Sequence, residues 1–142
     1  MNKEKLLKRM TLMVFFIFII NLLAMKFYWY SSLWYFDMFM HFAGGFWLGL
    51  AFLYLFNIRQ NIFINIDKYS FNFFKFTLKI ILSVLIVSIL WEVFEILVND
   101  ATIQNVFNKL DTFSDICFDL AGGFSSIIYF SKKIVLTKEN NI

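Results

Sequence analysis

Long apolar runs separated by short polar clusters organise this chain. A bilayer core of about 30 Å takes roughly 20 mostly apolar residues per helical span, and four stretches meet that length: residues 10–30, 33–56, 76–98 and 112–130. The second and fourth carry Asp37, His41, Asp115 and Asp119, each near one end of an otherwise apolar stretch. The pattern predicts an all-α transmembrane protein, a four-helix bundle forming a single membrane domain over residues 1–142. Between the third and fourth stretches, Ile103, Val106, Phe107 and Leu110 recur at i, i+3, i+4 and i+7. That is the spacing of one helix face, and it predicts a short helix lying on the outer membrane surface. Residues 57–75 mix Asn with Ile and Phe without a clean period and are expected in the cytoplasmic headgroup region.

Composition agrees. Of 142 residues, 61% are hydrophobic, 22% aromatic and 16% charged, with no proline and one cysteine. Soluble domains are typically about 45–50% apolar and about 25% charged, so an ordinary soluble domain is excluded, and the aromatic content excludes disorder. A single cysteine excludes a disulfide framework and any multi-cysteine metal site. The net charge of +3 hides a sorting by position. Lys3, Lys5, Lys8 and Arg9 precede the first span, and Arg59, Lys68, Lys75 and Lys79 lie in or beside the connection of the second to the third. Lys132, Lys133 and Lys138 follow the fourth. Only Lys26 and Lys109 fall in the other two connections, so eleven of thirteen basic residues share one side. By the positive-inside rule both termini are cytoplasmic. The bulky Leu22-Leu23-Ala24-Met25 run offers no small-x-small cleavage site, which predicts an uncleaved first helix rather than a secretory signal.

The second and fourth spans resemble each other. Asp37-Met-Phe-Met-His41-Phe-Ala-Gly44-Gly45-Phe46 aligns without gaps on Asp115-Ile-Cys-Phe-Asp119-Leu-Ala-Gly122-Gly123-Phe124. The alignment predicts two repeated helical hairpins related by an axis along the membrane normal. Gly44, Gly45, Gly122 and Gly123 are the positions at which the two helices can pack closely.

Seven of the ten acids, namely Asp37, Glu92, Glu95, Asp100, Asp111, Asp115 and Asp119, fall in the outer half or the outer connections. At 1.5 Å per residue, Asp37 and His41 lie roughly 6 and 12 Å below the outer start of their helix, and Glu92 and Glu95 about 9 and 4 Å below the outer end of theirs. Spacing aligns Asp37 with His41, Glu92 with Glu95, and Asp111, Asp115 and Asp119 on single faces. Some of these acids have ordinary explanations. Asp111 and Asp115 suit a helix N-terminus, and Thr112-Phe-Ser-Asp115 fits a capping box. Glu92 and Glu95 sit near a helix C-terminus inside the apolar region, where a central charge costs roughly 2.5–3.5 kcal/mol. With no Lys or Arg at that depth, compensation must come from protons, a bound cation or a cationic substrate. Carboxylates with one imidazole suit Mg, Mn, Ca or Zn. The expected metal set is Glu92, Glu95, Asp115 and Asp119, with Asp111 accessory. His41, oriented by Asp37, is the expected catalytic acid or base.

These motifs, Asp37-x-x-x-His41-Phe, Trp91-Glu92-x-x-Glu95 and Asp111-Thr112-x-x-Asp115-x-x-x-Asp119-x-x-Gly122, resemble those of the YjdF-like and VanZ-like bacterial membrane proteins. Met38 stands where the VanZ-like pattern more often has lysine, and the Gly-Gly and Glu-x-x-Glu elements sit closer to the YjdF-like group. The resemblance implies a multi-pass protein of the bacterial cytoplasmic membrane, linked on the VanZ-like side to glycopeptide tolerance.

Three functions follow as expectations. The first is a metal-dependent enzyme acting on a lipid-linked or cell-envelope substrate. The second is a non-catalytic membrane partner holding a structural cation, and the third is cation or proton transport. Transport ranks last, since the inner halves of the spans are apolar and only a homo-oligomer would supply a path. Membrane lipids are expected partners and nucleic acid is not.

Overall fold

The computed structural model describes residues 3–60, 70–101 and 109–139, and all regular structure among them is helical. The elements are α1 (Lys3–Lys26), α2 (Trp29–Ser32), α3 (Phe36–Gln60), α4 (Ser70–Ala101) and α5 (Lys109–Glu139). Three stretches are long and apolar enough to cross a membrane: Glu4–Lys26, Phe36–Phe56 and Phe73–Val98. The fourth expected span is also helical, and the 31 residues of α5 exceed the length a bilayer needs. Its composition differs, because Asp111, Asp115, Asp119 and several serines interrupt the apolar run, so it does not join the other three on hydropathy.

The first helix is shorter at its end than the hydrophobic pattern suggests. It stops at Lys26, and Tyr28 takes a left-handed conformation at φ 58° and ψ 35°. The Tyr28 carbonyl then accepts from the Ser31 and Ser32 hydroxyls at 3.0 and 2.9 Å and from both of their amides. Local hydroxyl donors thus stabilise a turn where apolarity alone would have continued the helix. The outer helix expected around Ile103, Val106 and Phe107 lies outside the described residues, while Leu110 belongs to the first turn of α5. Of the 57–75 connection, α3 takes the start and α4 the end.

Helices α3, α4 and α5 build the core, each through a stripe at four-residue spacing. On α4 the stripe is Phe76, Ile80, Val84, Ser88 and Glu92, all buried. On α3 it is His41, Gly45, Gly49 and Leu53, and on α5 Asp115, Asp119, Gly123 and Ile127. Rows of i±4 residues are one of the two ridges by which helices interlock. The tightest approach joins α3 and α5. A Cβ added to Gly45 would overlap the backbone carbonyl of Asp119, and one on Gly122 would overlap the Phe42 carbonyl. Gly49, four residues after Gly45, faces Gly123 and the Ser126 hydroxyl, so α3 carries a G-x-x-x-G face. Gly123 meets Val84 of α4 instead, and Gly44 has nothing nearer than a carboxylate oxygen of Asp119 at 4.0 Å.

Contact order along the helices gives their directions. Gly45 meets Asp119 and Gly49 meets Gly123, so α3 and α5 run parallel. Ser88 meets Asp119 and Val84 meets Gly123, so α4 runs antiparallel to both. Helix α1 lies on the outside of α3, where the Trp47 indole donates to the Met10 carbonyl at 2.9 Å. Its remaining surface is apolar and exposed, with Leu12, Phe15, Phe16 and Ile19 all more than half exposed. Such a surface needs an apolar covering, and its length and composition fit a membrane span. The two halves of the repeat are therefore unequal: α4 contributes a buried stripe, whereas α1 buries Leu6, Met10 and Ala24.

Candidate functional site

The N-terminal ends of α3 and α5 and the C-terminal end of α4 bring the polar residues together. His41, the single histidine of the chain, sits at the centre and is 8% exposed. Its Nδ1 lies 3.3 Å from Oδ2 of Asp119, within hydrogen-bond distance. On the opposite edge of the ring, Nε2 lies 3.8 Å from Asp37 and 4.0 Å from Asp115. The like positions of the repeat thus face each other, Asp37 with Asp115 and His41 with Asp119. Parallel packing on the glycine face is what makes this possible.

Burial increases inward. Asp111 is exposed, Asp37 and Glu95 are half-buried, and Glu92, Asp115 and Asp119 are at most 5% exposed. Glu92 is the least compensated. Thr112 of α5 hydrogen-bonds its carboxylate, yet Oε1 is buried without a hydrogen-bond partner among the described residues. A buried unpartnered carboxylate oxygen costs at least about 1–3 kcal/mol. Among the described residues, the ion-pairing partner of these acids within 4.0 Å is the imidazole of His41, cationic only when protonated.

Two sets of donor atoms converge, each within 4.8 Å: Asp37, His41 and Asp115, and His41, Glu92 and Glu95. For bonds of about 2.0–2.4 Å, two donors on one cation lie roughly 3–4.5 Å apart, so either set has the span a divalent ion requires. Asp119, expected among the ligands, is in neither set. It is occupied by His41 and by the Ser88 hydroxyl, which donates to the same Oδ2 at 2.5 Å. Asp111 is likewise in neither set, and the Ser114 hydroxyl donates to its backbone carbonyl at 2.8 Å. The expected capping box does not form, because α5 already includes Thr112 and Asp115 at interior positions. Thr112 instead turns to Glu92, and Asp115 turns to His41.

Sequence reasoning passed over three residues here. Ser88 was legible as a member of the Val84-Ser88-Glu92 series. Gly49 was legible as the partner of Gly45 four residues earlier. Tyr30 carried no such signal. It lies on α2, where its hydroxyl donates to Asn21 Oδ1 at 2.6 Å. Burial, and then the Asp37 and Glu95 carboxylates, push its phenol up to about 12.

Helices apolar toward the outside, enclosing a histidine ringed by carboxylates, define an integral membrane protein with a polar centre. The chain belongs to the predicted membrane protein family DUF2238, whose model matches residues 2–134. No curated protein and no solved structure matches it.

Proposed function

We propose that this protein holds a divalent cation between α3, α4 and α5 and uses it on a lipid-linked phosphate or related cell-envelope substrate. The observation that carries the reading is Glu92, whose Oε1 is a buried carboxylate oxygen without a partner and whose carboxylate converges with the donor atoms of His41 and Glu95. An ion there compensates the acids that protein cations do not reach. His41 is then a ligand through Nε2 in place of the acid–base role, with Glu92 and Glu95 on one side and Asp37 and Asp115 on the other. A divalent ion held by these residues would supply Lewis-acid polarisation of a phosphoryl oxygen, and the half-buried Asp37 and Glu95 mark the side from which substrate enters.

In this reading α5 is the fourth span, with Asp115, Asp119 and Ser126 turned toward α3 and α4 rather than toward lipid. The termini are then cytoplasmic and the acidic end faces outward. Arg9 and Tyr129, which hydrogen-bond at 2.6 Å, belong to the basic, inner end. The resemblance of the motifs to the YjdF-like and VanZ-like proteins supports a place in the bacterial cytoplasmic membrane and an envelope role.

A second reading, a structural cation that ties the three helices without turnover, is favoured by the deep burial of Glu92, Asp115 and Asp119. Transport is disfavoured because Leu50, Leu53, Ile80, Val84, Ile127 and Phe130 fill the inner half of the same helices.

Elemental analysis of detergent-purified protein tests the cation. The expected result is one divalent ion per chain, absent from Glu92→Gln and His41→Ala. A metal-free wild type after addition of Mg²⁺, Mn²⁺, Ca²⁺ and Zn²⁺ would overturn it. If the ion is present, an unchanged envelope phenotype in a stably expressed His41→Ala strain selects the structural reading over the enzymatic one.

A further inference from the structure

We infer that Asp119 and Ser88 are positioning residues that hold His41 in one tautomer, with the Nε2 lone pair turned to the acids, and that neither is a cation ligand. The inference rests on the cation reading above and assigns the roles around its central ligand.

An ionised carboxylate only accepts hydrogen bonds. Asp119 Oδ2 faces Nδ1 at 3.3 Å and takes the Ser88 hydroxyl on the same atom. Were Nδ1 unprotonated, two acceptors would face each other, and the Ser88 hydroxyl, the donor on that oxygen among the described residues, is already engaged. Nδ1 therefore carries a proton and donates to Asp119, which leaves Nε2 as the basic nitrogen. That nitrogen points to Asp37 and Asp115 at 3.8 and 4.0 Å, too long for hydrogen bonds. Between two carboxylates Nε2 takes either a proton or a cation, and a bound cation occupies the lone pair that the proton would otherwise hold.

The same contacts remove Asp119 from the ligand set. It lies at the Nδ1 edge of the ring, while both acids within 4.0 Å of Nε2 lie at the other. Its place is set by backbone, because the glycine at position 45 lets the Asp119 carbonyl close on α3. Ser88, 1% exposed on the neighbouring helix, then fixes the carboxylate from the α4 side. A carboxylate that receives the far N–H of a metal-bound histidine sets ring orientation and basicity, and losing such a partner typically weakens metal binding 10–100-fold.

Since His41 is the single histidine, its ring nitrogens can be read directly by ¹⁵N NMR. Full-length protein in detergent is loaded with Zn²⁺ alone, with Zn²⁺ affinity measured in parallel. The expected spectrum has Nδ1 protonated and Nε2 metal-bound. Affinity is expected to fall about 10-fold in Ser88→Ala, to recover in Ser88→Thr, and to fall 10–100-fold in Asp119→Asn. A protonated Nε2 with metal on Nδ1 would overturn the inference while leaving the cation reading intact, as would unchanged affinity in Ser88→Ala. Should Ser88→Ala fail to fold, the wild-type spectrum alone decides. A wild type that binds no Zn²⁺, Mg²⁺, Mn²⁺ or Ca²⁺ overturns the cation reading and this inference with it.

Discussion

The two ends of the α3–α4–α5 core share a backbone arrangement and differ in what fills it. Toward the basic end, Leu50, Leu53, Ile80, Val84, Ile127 and Phe130 interlock as an apolar core. Toward the acidic end, the same stripes continue as His41, Ser88, Glu92, Asp115 and Asp119, all buried. The apolar end is complete in itself, because each side chain needs only shape-matched neighbours. The acidic end is not, because a carboxylate oxygen out of water needs a donor or a cation. One end of the bundle is thus a scaffold, and the other stores an unmet electrostatic demand that the scaffold keeps in place.

That contrast can be broken most severely at the crossing on which both ends depend. Gly45→Leu would put a side chain through the Asp119 backbone. The expected outcome is loss of folded, monodisperse protein in detergent gel filtration, whereas Gly44→Ala, with open space around it, should remain folded. Within the apolar end, Leu53→Ala removes a fully buried side chain and should cost about 2–5 kcal/mol by the measure of soluble cores. The drop should appear in thermal unfolding, and Zn²⁺ binding by the protein that remains folded should not change. Loss of binding in that variant would show that the two ends are not separable.

The acidic end should respond with the opposite sign. Glu92→Gln removes a buried charge with an orphan oxygen, so the metal-free protein should be stabilised by about 1–3 kcal/mol. Added Zn²⁺ should raise the melting temperature of the wild type and leave the variant unmoved. A metal-free Glu92→Gln protein less stable than the metal-free wild type would mean that Glu92 is already satisfied. The smallest effect is expected at the rim of the basic end. Tyr129→Phe removes the hydroxyl that Arg9 reaches at 2.6 Å and should change stability by under about 1 kcal/mol.

Much of the site was legible in the chain because helical spacing is a local property. Asp37 and His41 at i+4, or Glu92 and Glu95 at i+3, must share a face wherever those segments are helical. The internal likeness of residues 37–46 and 115–124 also showed which two helices would meet. What spacing could not say is which oxygen faces which nitrogen. Asp119 reads in sequence as one more acid of the cluster, yet it sits on the Nδ1 side of His41 with Ser88. Asp115 reads in sequence both as a helix cap and as a ligand of the cluster, and it turns inward to Nε2. Those distinctions depend on the rotation of each helix about its axis, which only the neighbouring helix settles.

The end of the first helix makes the same point. Apolarity carries the expected span to Tyr30, but the turn at Tyr28 depends on hydroxyls of Ser31 and Ser32 reaching back to one carbonyl, an arrangement that hydropathy does not register.

Sequence alone determined that this is a helical membrane protein, with basic residues gathered at one end and acids at the other. Transfer free energy and charge sorting act residue by residue and need no partner. Assembly decided that Gly45 and Gly122 would bring two acid-bearing helices into backbone contact, that His41 would become their shared centre, and that Glu92 would be left with an oxygen to satisfy. Those outcomes arise from close packing between helices distant in the chain, above all at the α3–α5 crossing, where segments more than seventy residues apart meet and a single Cβ decides how near the backbones come.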